Sequence, residues 1–247
     1  MNDRNVRLQV FLSRSGLGSR RRCERIVEQG RVEINGRPVS ELGVKVKPGD
    51  EVRVDGRTIE PQSPVYIALH KPAGCLCSNS DPHGRPLAID YIHLPVAVRI
   101  FHVGRLDYNS SGLILYTNDG RFALRVAHPS YGVEKTYLVE ACRAVDKSDL
   151  ERYRSGLTIE GESYRLLRYR IRGPRTCFLT LLEGKNREIR RVFDHLGYDV
   201  DRIHRVRIGP VSLGDLQPGT FRQLSRCELD WFWARKRRPG AQFPDRH

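Results

Sequence analysis

The chain of 247 residues lacks the features that would place it in a membrane or outside the cell. It contains no apolar run of the eighteen or so residues that a membrane-spanning helix needs, and its first residues, MNDRNVRLQVFL, lack the apolar core of a signal peptide. Its six cysteines are scattered, without the spacing of a disulfide framework. We therefore expect a soluble cytoplasmic protein with reduced thiols and no membrane partner.

A recognisable metal site is also missing. Cys75, Cys77, His70 and His83 place possible ligands close together, but Cys-x-Cys is not the Cys-x-x-Cys of a zinc knuckle, and no second pair follows. We interpret Cys75 and Cys77 as small residues that alternate at the end of a strand. The sequence therefore predicts no bound metal.

Two common catalytic motifs are absent as well. GKNR at 184–187 lacks the Ser or Thr that follows lysine in a nucleotide-binding loop, and NSSG at 109–112 lacks the Gly-x-Ser-x-Gly frame of a serine hydrolase. Phosphoryl transfer and serine-dependent hydrolysis are thereby disfavoured.

What the chain has in excess is positive charge. Lysine and arginine number 43 against 29 acidic residues, which leaves a formal net charge of +14. Arginine dominates this excess, and its guanidinium group grips phosphates and stacks on bases. Positive charge can also serve solubility alone, but the clustering described below favours a polyanionic partner.

The first sixty residues predict a separate module of two short helices followed by small β-hairpins. RLQVFLSRSG has apolar residues at helical spacing, and Ser19 is placed to cap a second helix, SRRRCERIVEQG, which Gly30 can end. Strand-like pairs then flank the NG turn at 35–36 and the DG turn at 55–56.

Arginines share the outer face of the second predicted helix. An exposed helix face is often merely solvated, but arginines at helical spacing beside a helix N-terminus, whose free amides also attract anions, form a surface for a phosphate backbone. We predict nucleic-acid contact through Arg21, Arg22 and Arg25.

A larger mixed domain is predicted after a proline-bounded linker at 61–64. Its strands are VYIALHKP, GLILYT, KTYLVEA and TCFLTLLEG, and an amphipathic helix, NREIRRVFDHLGY, stops at Gly197. HRVRIGPVSL and a final basic segment, WFWARKRRPG, complete the domain, which we place at 65–234. We expect residues 235–247 to be a disordered basic tail.

One carboxylate is set in an unusual frame. In GRLDYNSSG, Asp107 lies where a turn leads into the apolar strand GLILY, so its side chain can project into a cleft. The alternative is an ordinary turn-capping aspartate. Arg105, two residues away on the same side of an extended backbone, could bind a phosphate beside the carboxylate.

Two further stretches favour the catalytic interpretation. GKNREIRRVF supplies Arg187, Arg190 and Arg191, one of which could pair with the carboxylate and keep it ionised. Tyr137, in the basic strand KTY, could serve as an aromatic platform for a base.

These motifs resemble a known family. GRLDYNSSGLILYTNDG, EKTYLVE and EGKNREIRRVF occur in this order and, with HKPAGCLCSNSDPHGRP, resemble the RsuA/RluB branch of pseudouridine synthases. RLQVFLSRSGLGSRRRCERIVEQGRVEINGRPV is similar to the ribosomal-protein-S-four-like RNA-binding module. The resemblance covers about residues 7–230 and implies an α+β fold, with a small RNA-binding domain at 1–60 before a catalytic domain built on a largely antiparallel sheet.

The resemblance implies a role for each matching residue. Asp107 would be the catalytic aspartate, Tyr137 would stack on the target base, and Arg190 would fix the aspartate by a salt bridge, with Arg191 as the alternative partner. Arg105 would help to place the flipped nucleotide or its phosphate. Contacts with RNA elsewhere would involve Arg20, Arg21, Arg22, Arg25 and Arg187.

This sequence departs from the family pattern at two positions near the site. Ser110 stands where members often have Thr, which keeps the hydroxyl, and Glu188 stands where they often have Gln, which adds a negative charge and leaves the role of Glu188 open.

The resemblance implies that the chain isomerises uridine to pseudouridine in ribosomal RNA. The base is flipped out of the helix, and the carboxylate either attacks C1′ or removes a proton beside it to give a glycal. No cofactor or metal is required, and we expect a monomer that acts on rRNA or a pre-ribosomal particle, with large-subunit RNA preferred. The alternative is a non-catalytic RNA-binding or ribosome-assembly factor on the same fold.

Overall fold

The computed structural model describes residues 5–237, which form two compact units. The first contains the chain to Pro64 together with Leu94–Ile100, and the second contains Val65–His93 and the chain from Phe101 onward. The sequence pattern assigns residues 94–100 to the second domain, but they pack with the first. The Gln62 side chain donates a hydrogen bond to the Ala97 carbonyl (3.2 Å) and accepts one from the Arg99 amide (3.4 Å).

The first unit has the predicted two helices and small hairpins. Ser19 caps the second helix by accepting a hydrogen bond from the Arg22 amide (3.3 Å), and the two helices pack on a four-stranded sheet through Leu8, Leu12 and Val32. The elements are β1 (Val6–Arg7), α1 (Leu8–Arg14), α2 (Arg20–Glu28), β2 (Val32–Ile34), β3 (Arg37–Val39), β4 (Lys45–Val46), β5 (Val52–Val54) and β6 (Arg57–Thr58).

The second unit is built on a mixed, largely antiparallel sheet, which confirms the predicted fold class. The strands of the second unit, which include the separate pair β11 and β12, are β7 (Tyr66–Lys71), β8 (Phe101–Val103), β9 (Ser111–Thr117), β10 (Lys135–Ala141), β11 (Leu157–Ile159), β12 (Glu162–Tyr164), β13 (Arg168–Gly173), β14 (Thr176–Leu181), β15 (Val200–Ile208), β16 (Val211–Ser212) and β17 (Phe221–Gln223). Its helices are α3 (Gly120–Ala127), α4 (Lys147–Ser155), α5 (Glu188–His195) and α6 (Arg226–Ala234). The strand order is β13-β14-β10-β15-β9-β7-β17, with β8 and β16 added beside β9 and β15.

Register divides the sheet into two faces. Because side chains alternate along a strand, residues paired across neighbouring strands share a face. One face carries a row of residues that crosses six strands, and we call it the active face. The row consists of Tyr169, Leu179, Tyr137, Arg205, Gly112 and Lys71. The back face carries the neighbouring row of Arg170, Phe178, Leu138, His204 and Ser111.

Helices α3 and α6 cover part of the back face. Phe122 of α3 and Phe232 of α6 meet edge to face with ring centroids 5.2 Å apart, within a core that includes Leu113 and Leu115 of β9. WFWA is part of α6, in which Phe232 is fully buried. Ser225 and Glu228 form the capping box that begins this helix. Of the predicted tail, residues 238–247 lie outside the described residues.

Gly112 allows β15 to approach β9. The two strands are parallel and pair only at Ser111 with His204 and at Gly112 with Arg205. Gly112 has φ +105°, a backbone conformation that L side chains rarely adopt, and a Cβ built there would lie 2.3 Å from the Arg205 carbonyl oxygen. A side chain at this position would push apart the strands that carry the active-face row.

We expect Gly112→Ala to lower the free energy of unfolding by at least about 2 kcal/mol, because the methyl group collides with backbone that cannot move freely. Gly120→Ala is the matched control. Nothing lies within 4 Å of the position that its methyl group would take, and its effect should stay within about 1 kcal/mol. Urea denaturation measures both, and equal midpoints would contradict the steric argument.

Candidate active site

Asp107 lies on the turn that joins β8 to β9. The turn closes by a hydrogen bond from the Ser110 amide to the Asp107 carbonyl oxygen (3.0 Å). The Asp107 side chain is half-buried, and among residues 5–237 no group donates a hydrogen bond to its carboxylate. This arrangement differs from that of Asp81, whose carboxylate accepts hydrogen bonds from its own turn, as a structural turn aspartate does.

A buried ammonium group organises this turn. Lys71, at the end of β7, is 0% exposed, and its Nζ donates to the carbonyl oxygens of Ser110 (2.7 Å), Pro72 (3.0 Å) and Tyr108 (3.3 Å). Burial lowers the pKa of Lys71, and neighbouring groups that include Asp107 act in the opposite direction. The ammonium thus ties the Tyr108 and Ser110 carbonyls of the Asp107 turn to the end of β7, a role that the sequence did not suggest.

Arg205 links two of the predicted motifs, GRLDYNSSGLILYTNDG and EKTYLVE. It is 2% exposed, and its Nε donates to the Leu113 carbonyl (2.7 Å). Its Nη1 lies 3.4 Å from the Tyr137 hydroxyl and 3.5 Å from the Arg105 carbonyl. Within the described chain, its buried Nη2 has no hydrogen-bond partner. Arg205 therefore fixes Tyr137 relative to the Asp107 turn, and its only sequence signal was a cation inside a strand.

A cleft gathers most of the predicted site residues. Arg105, Asp107, Tyr137, Arg187 and Arg190 all line it. Ser110 and Glu188 contribute to its wall. Motifs that are far apart in the sequence therefore meet around one carboxylate.

The predicted salt bridge between Arg190 and Asp107 is not formed in the described structure. Arg190 projects from α5 into the cleft, but its Nη1 donates to the Val200 carbonyl (3.1 Å), and no ion pair within 4.0 Å joins it to Asp107. Arg191, the alternative partner, faces away from the cleft because successive helix residues point in different directions. It pairs with Glu162 (3.3 Å) and the Tyr164 hydroxyl (3.1 Å).

Glu188 anchors the loop that precedes α5. It is 4% exposed, accepts a hydrogen bond from the Tyr153 hydroxyl (2.9 Å) and accepts another from the Lys185 amide (3.0 Å). Burial raises the pKa of Glu188, which these two hydrogen bonds partly oppose. The residue before it in the chain, Arg187, has φ +51° and lies at the cleft wall. The position that sequence reasoning left open thus has a structural role beside the cleft.

Lys135, on β10, is a further buried cation in addition to Lys71 and Arg205. Burial, together with the positive charge of Arg205, lowers the pKa of Lys135 to about 8, and its Nζ donates to the Leu182 carbonyl (3.3 Å). The charges of Lys135 and Arg205 make the electrostatic potential next to Tyr137 positive. Such a site favours a ligand that carries negative charge and presents a planar ring to Tyr137.

A metal role for the cysteine segment gains no support. Cys75 and Cys77 lie beyond the end of β7, so the prediction that they alternate along a strand is wrong. Instead, the Cys75 thiol donates to the Pro72 carbonyl (3.4 Å) and Cys77 accepts from the Leu106 amide (3.4 Å). Residues 5–237 contain no group of three or more His, Cys, Asp or Glu side chains that could hold a metal ion, and no helix among them is long and apolar enough to cross a bilayer.

The first unit presents its arginines to solvent. Arg22 and Arg25 line a groove of about 310 Å³ beside α2, where the exposed Arg31 pairs with Asp55 (2.5 Å). By contrast, none of the exposed α2 arginines forms an ion pair within the described chain; these are Arg20, Arg21, Arg22 and Arg25.

Comparison with known proteins gives consistent matches. Residues 65–195 match the family described as RNA pseudouridylate synthase, and residues 6–52 match the S4 domain. An uncharacterized RNA pseudouridine synthase of Aquifex aeolicus is 40% identical, and the alignment covers 91% of this chain and 92% of that protein. Ribosomal large subunit pseudouridine synthase B of Bacillus subtilis is 35% identical, with coverage of 90% and 93%.

Two further matches extend this comparison. The dual-specificity RNA pseudouridine synthase RluF of Escherichia coli is 36% identical, with coverage of 92% of this chain and 78% of that protein. A crystal structure of a pseudouridylate synthase superposes with a TM-score of 0.68 at 30% identity and covers 92% of this chain and 99% of that chain.

The buried Lys135 should make stability depend on pH. Its pKa of about 8 in the folded protein lies below the 10.5 of an exposed lysine, so the unfolded chain binds more protons between these values and folding becomes more favourable as the pH rises. Relative to Lys135→Met, we expect the wild type to gain up to about 3 kcal/mol between pH 7.5 and 10.5. Urea unfolding at several pH values measures the difference, and a pH-independent difference would contradict the argument.

Proposed function

The chain belongs to the RNA pseudouridylate synthase family, and we propose that it isomerises uridine to pseudouridine in ribosomal RNA with Asp107 as the catalytic carboxylate. The observation that carries this proposal is the cleft itself. It surrounds one carboxylate, free of hydrogen-bond donors within the described chain, with the Tyr137 ring and the cations Arg105, Arg187 and Arg190.

The reaction needs one carboxylate and no redox partner. The N1–C1′ bond of uridine breaks, the uracil turns, and a C5–C1′ bond forms; C5 then loses its proton and N1 gains one, so the product is an isomer of the substrate. Asp107 acts at the ribose, either by adding to C1′ and leaving again or by removing the neighbouring proton to give a glycal and returning it. Both routes require a carboxylate at a fixed position, which the hydrogen bonds from Lys71 to the turn support.

Tyr137 and the arginines have separate tasks in this proposal. The uracil, once flipped out of the RNA helix, stacks on the Tyr137 ring, whose hydroxyl faces Arg205 Nη1. Arg105 and Arg187 contact phosphates on either side of the flipped nucleotide. Arg190 lines the same cleft as Asp107, and we expect it to pair with the carboxylate when RNA displaces the Val200 contact.

Ribosomal RNA is the substrate class that the relatives' names support. The Bacillus subtilis relative is named for the large ribosomal subunit, and we extend that preference to this chain. The S4 domain and the α2 arginines support a second RNA contact outside the cleft. A ribosomal substrate supports a cytoplasmic location, and a monomer is consistent with a proposed site whose groups all come from one chain.

Asp107→Asn should abolish pseudouridine formation while leaving folding and RNA affinity nearly unchanged, because the amide keeps the shape of the carboxylate but cannot act as nucleophile or base. We expect a loss of at least about a thousandfold in the single-turnover rate, measured by chemical mapping of pseudouridine in rRNA. Asp215→Asn, at an exposed position, is the control. Full modification by folded Asp107→Asn would show that Asp107 is not the catalytic group, whereas absence of modification by the wild-type protein would favour the non-catalytic assembly factor.

Replacement of Arg21, Arg22 and Arg25 by Gln should weaken RNA binding and reduce the slope of log affinity against log salt by about 2, because about three phosphate contacts are lost. The single-turnover rate at saturating RNA should change little. The control replaces Arg152, Arg154 and Arg226, each of which is paired with a carboxylate on its own helix. An equal loss of slope in both triple variants would argue against a specific role for α2.

A further inference from the structure

Half of the back face of the large sheet is open. Helices α3 and α6 pack over β8 and β9, whereas β10, β13, β14 and the end of β15 border a concavity of about 590 Å³ on the same side. We call this concavity the back-face groove and define it by the lining residues that matter here: Thr136, Arg168, Arg170, Phe178, Thr180 and Arg207. It lies on the opposite side of the sheet from Tyr137.

Strand pairing sets the spacing of the groove's cations. Arg168, Thr180, Thr136 and Arg207 are paired in succession across four strands, so the two arginines stand at the ends of one row, about 14 Å apart at the backbone. Arg170 lies two residues along β13 from Arg168, about 7 Å away. The groove therefore has a cationic rim on both sides.

Little negative charge neutralises this rim. Within the described chain, Arg170 and Arg207 form no ion pair, and both side chains belong to exposed residues. Arg168 pairs with Glu134, but the two side chains are 59% and 32% exposed, so solvent screens the pair and a phosphate can replace the carboxylate at small cost.

The floor of the groove is neutral and contains an aromatic ring. Phe178 is half-buried, and the Arg170 guanidinium lies over its ring at 5.6 Å from the centroid. Beside it, the Thr136 and Thr180 hydroxyls are 3.1 Å apart. Cations at the rim with an aromatic ring and hydroxyls between them are the arrangement that holds a single nucleic-acid strand, with phosphates at the rim and a base on the ring.

We propose that the back-face groove binds a single-stranded segment of the RNA substrate, as a contact separate from the catalytic cleft and from α2. This rests on the proposed function only in taking RNA as the substrate. The width of the row suits a strand that crosses the sheet with one phosphate near Arg168 and another, farther along than the next nucleotide, near Arg207. Arginines on an edge strand can also serve only to prevent strand-to-strand aggregation, and an acidic protein could occupy the same rim, so the experiment separates these three roles.

The test uses full-length Asp107→Asn protein, so that binding is measured without turnover, and deproteinised large- and small-subunit rRNA as separate probes. The groove variant carries Arg168→Gln, Arg170→Gln and Arg207→Gln. The matched control carries Arg152→Gln, Arg154→Gln and Arg226→Gln, which removes the same charge from helices α4 and α6. Salt-dependent filter binding gives the affinity and its slope for each.

We expect the groove variant to lose about 2 in the log–log salt slope and at least tenfold in affinity, and the control to lose much less. Equal losses in the two variants would overturn the proposal in favour of bulk charge. Unchanged binding with new aggregation would overturn it in favour of edge protection. The same assay is run with intact ribosomal particles, and a loss seen with the particles but not with deproteinised rRNA would overturn the proposal in favour of a protein partner.

Phe178→Leu tests the stacking part separately, because it keeps an apolar side chain but removes the ring. We expect about a fivefold loss of affinity for a 30-nucleotide oligouridylate, with an unchanged salt slope.

The groove variant with Asp107 intact should keep its single-turnover rate at saturating RNA, whereas the RNA concentration that gives the half-maximal rate rises. If Asp107 proves not to be catalytic, these binding results still decide whether the back-face groove binds RNA.

Discussion

The site depends on one buried ammonium group. Lys71 places a positive charge with no solvent exposure among the Tyr108 and Ser110 carbonyls of the Asp107 turn and the Pro72 carbonyl after β7. A buried charge is tolerated only when such oxygens surround it, so turn and strand must adopt their positions together. This coupling gives the carboxylate a defined place without direct hydrogen bonds to it in the described chain, and it leaves the carboxylate oxygens available for the ribose.

Arg205 extends the same principle across the sheet. Its guanidinium joins the Tyr137 hydroxyl to the carbonyls of Leu113 and Arg105, so Tyr137 and the Asp107 turn share one support. Gly112 makes this possible, because β15 can bring Arg205 close to β9 only where no side chain intervenes. The site is therefore rigid where the base and ribose would lie, and more open at Arg105 and Arg187, where RNA of varied shape must be accommodated.

Several main strands could be predicted from apolar periodicity, and the fold class and the meeting of Asp107 with Tyr137 and Arg190 from the resemblance of the ordered motifs to a known family. Lys71 and Arg205 could not, because their partners lie 39 and 92 residues away and no local pattern records such pairs. The prediction of a salt bridge between Arg190 and Asp107 was wrong for a related reason. Helical spacing shows which side of α5 faces the cleft, but not which acceptor is nearest to Arg190. Helix α4 was missed because only Leu150 and Tyr153 face inward, too few to make a period visible.

Strand β10 has a consequence for how this enzyme can diverge. Thr136 and Tyr137 are consecutive, yet one points to the back-face groove and the other to the cleft. Inserting or deleting a single residue before them would exchange the two surfaces along the rest of the strand, so both would be lost at once. Substitutions can alter either surface independently, whereas the length of β10 is constrained by both. Variation in length among related enzymes is thus expected in the loops and at the outer hairpin of β13 and β14, and not in this central strand.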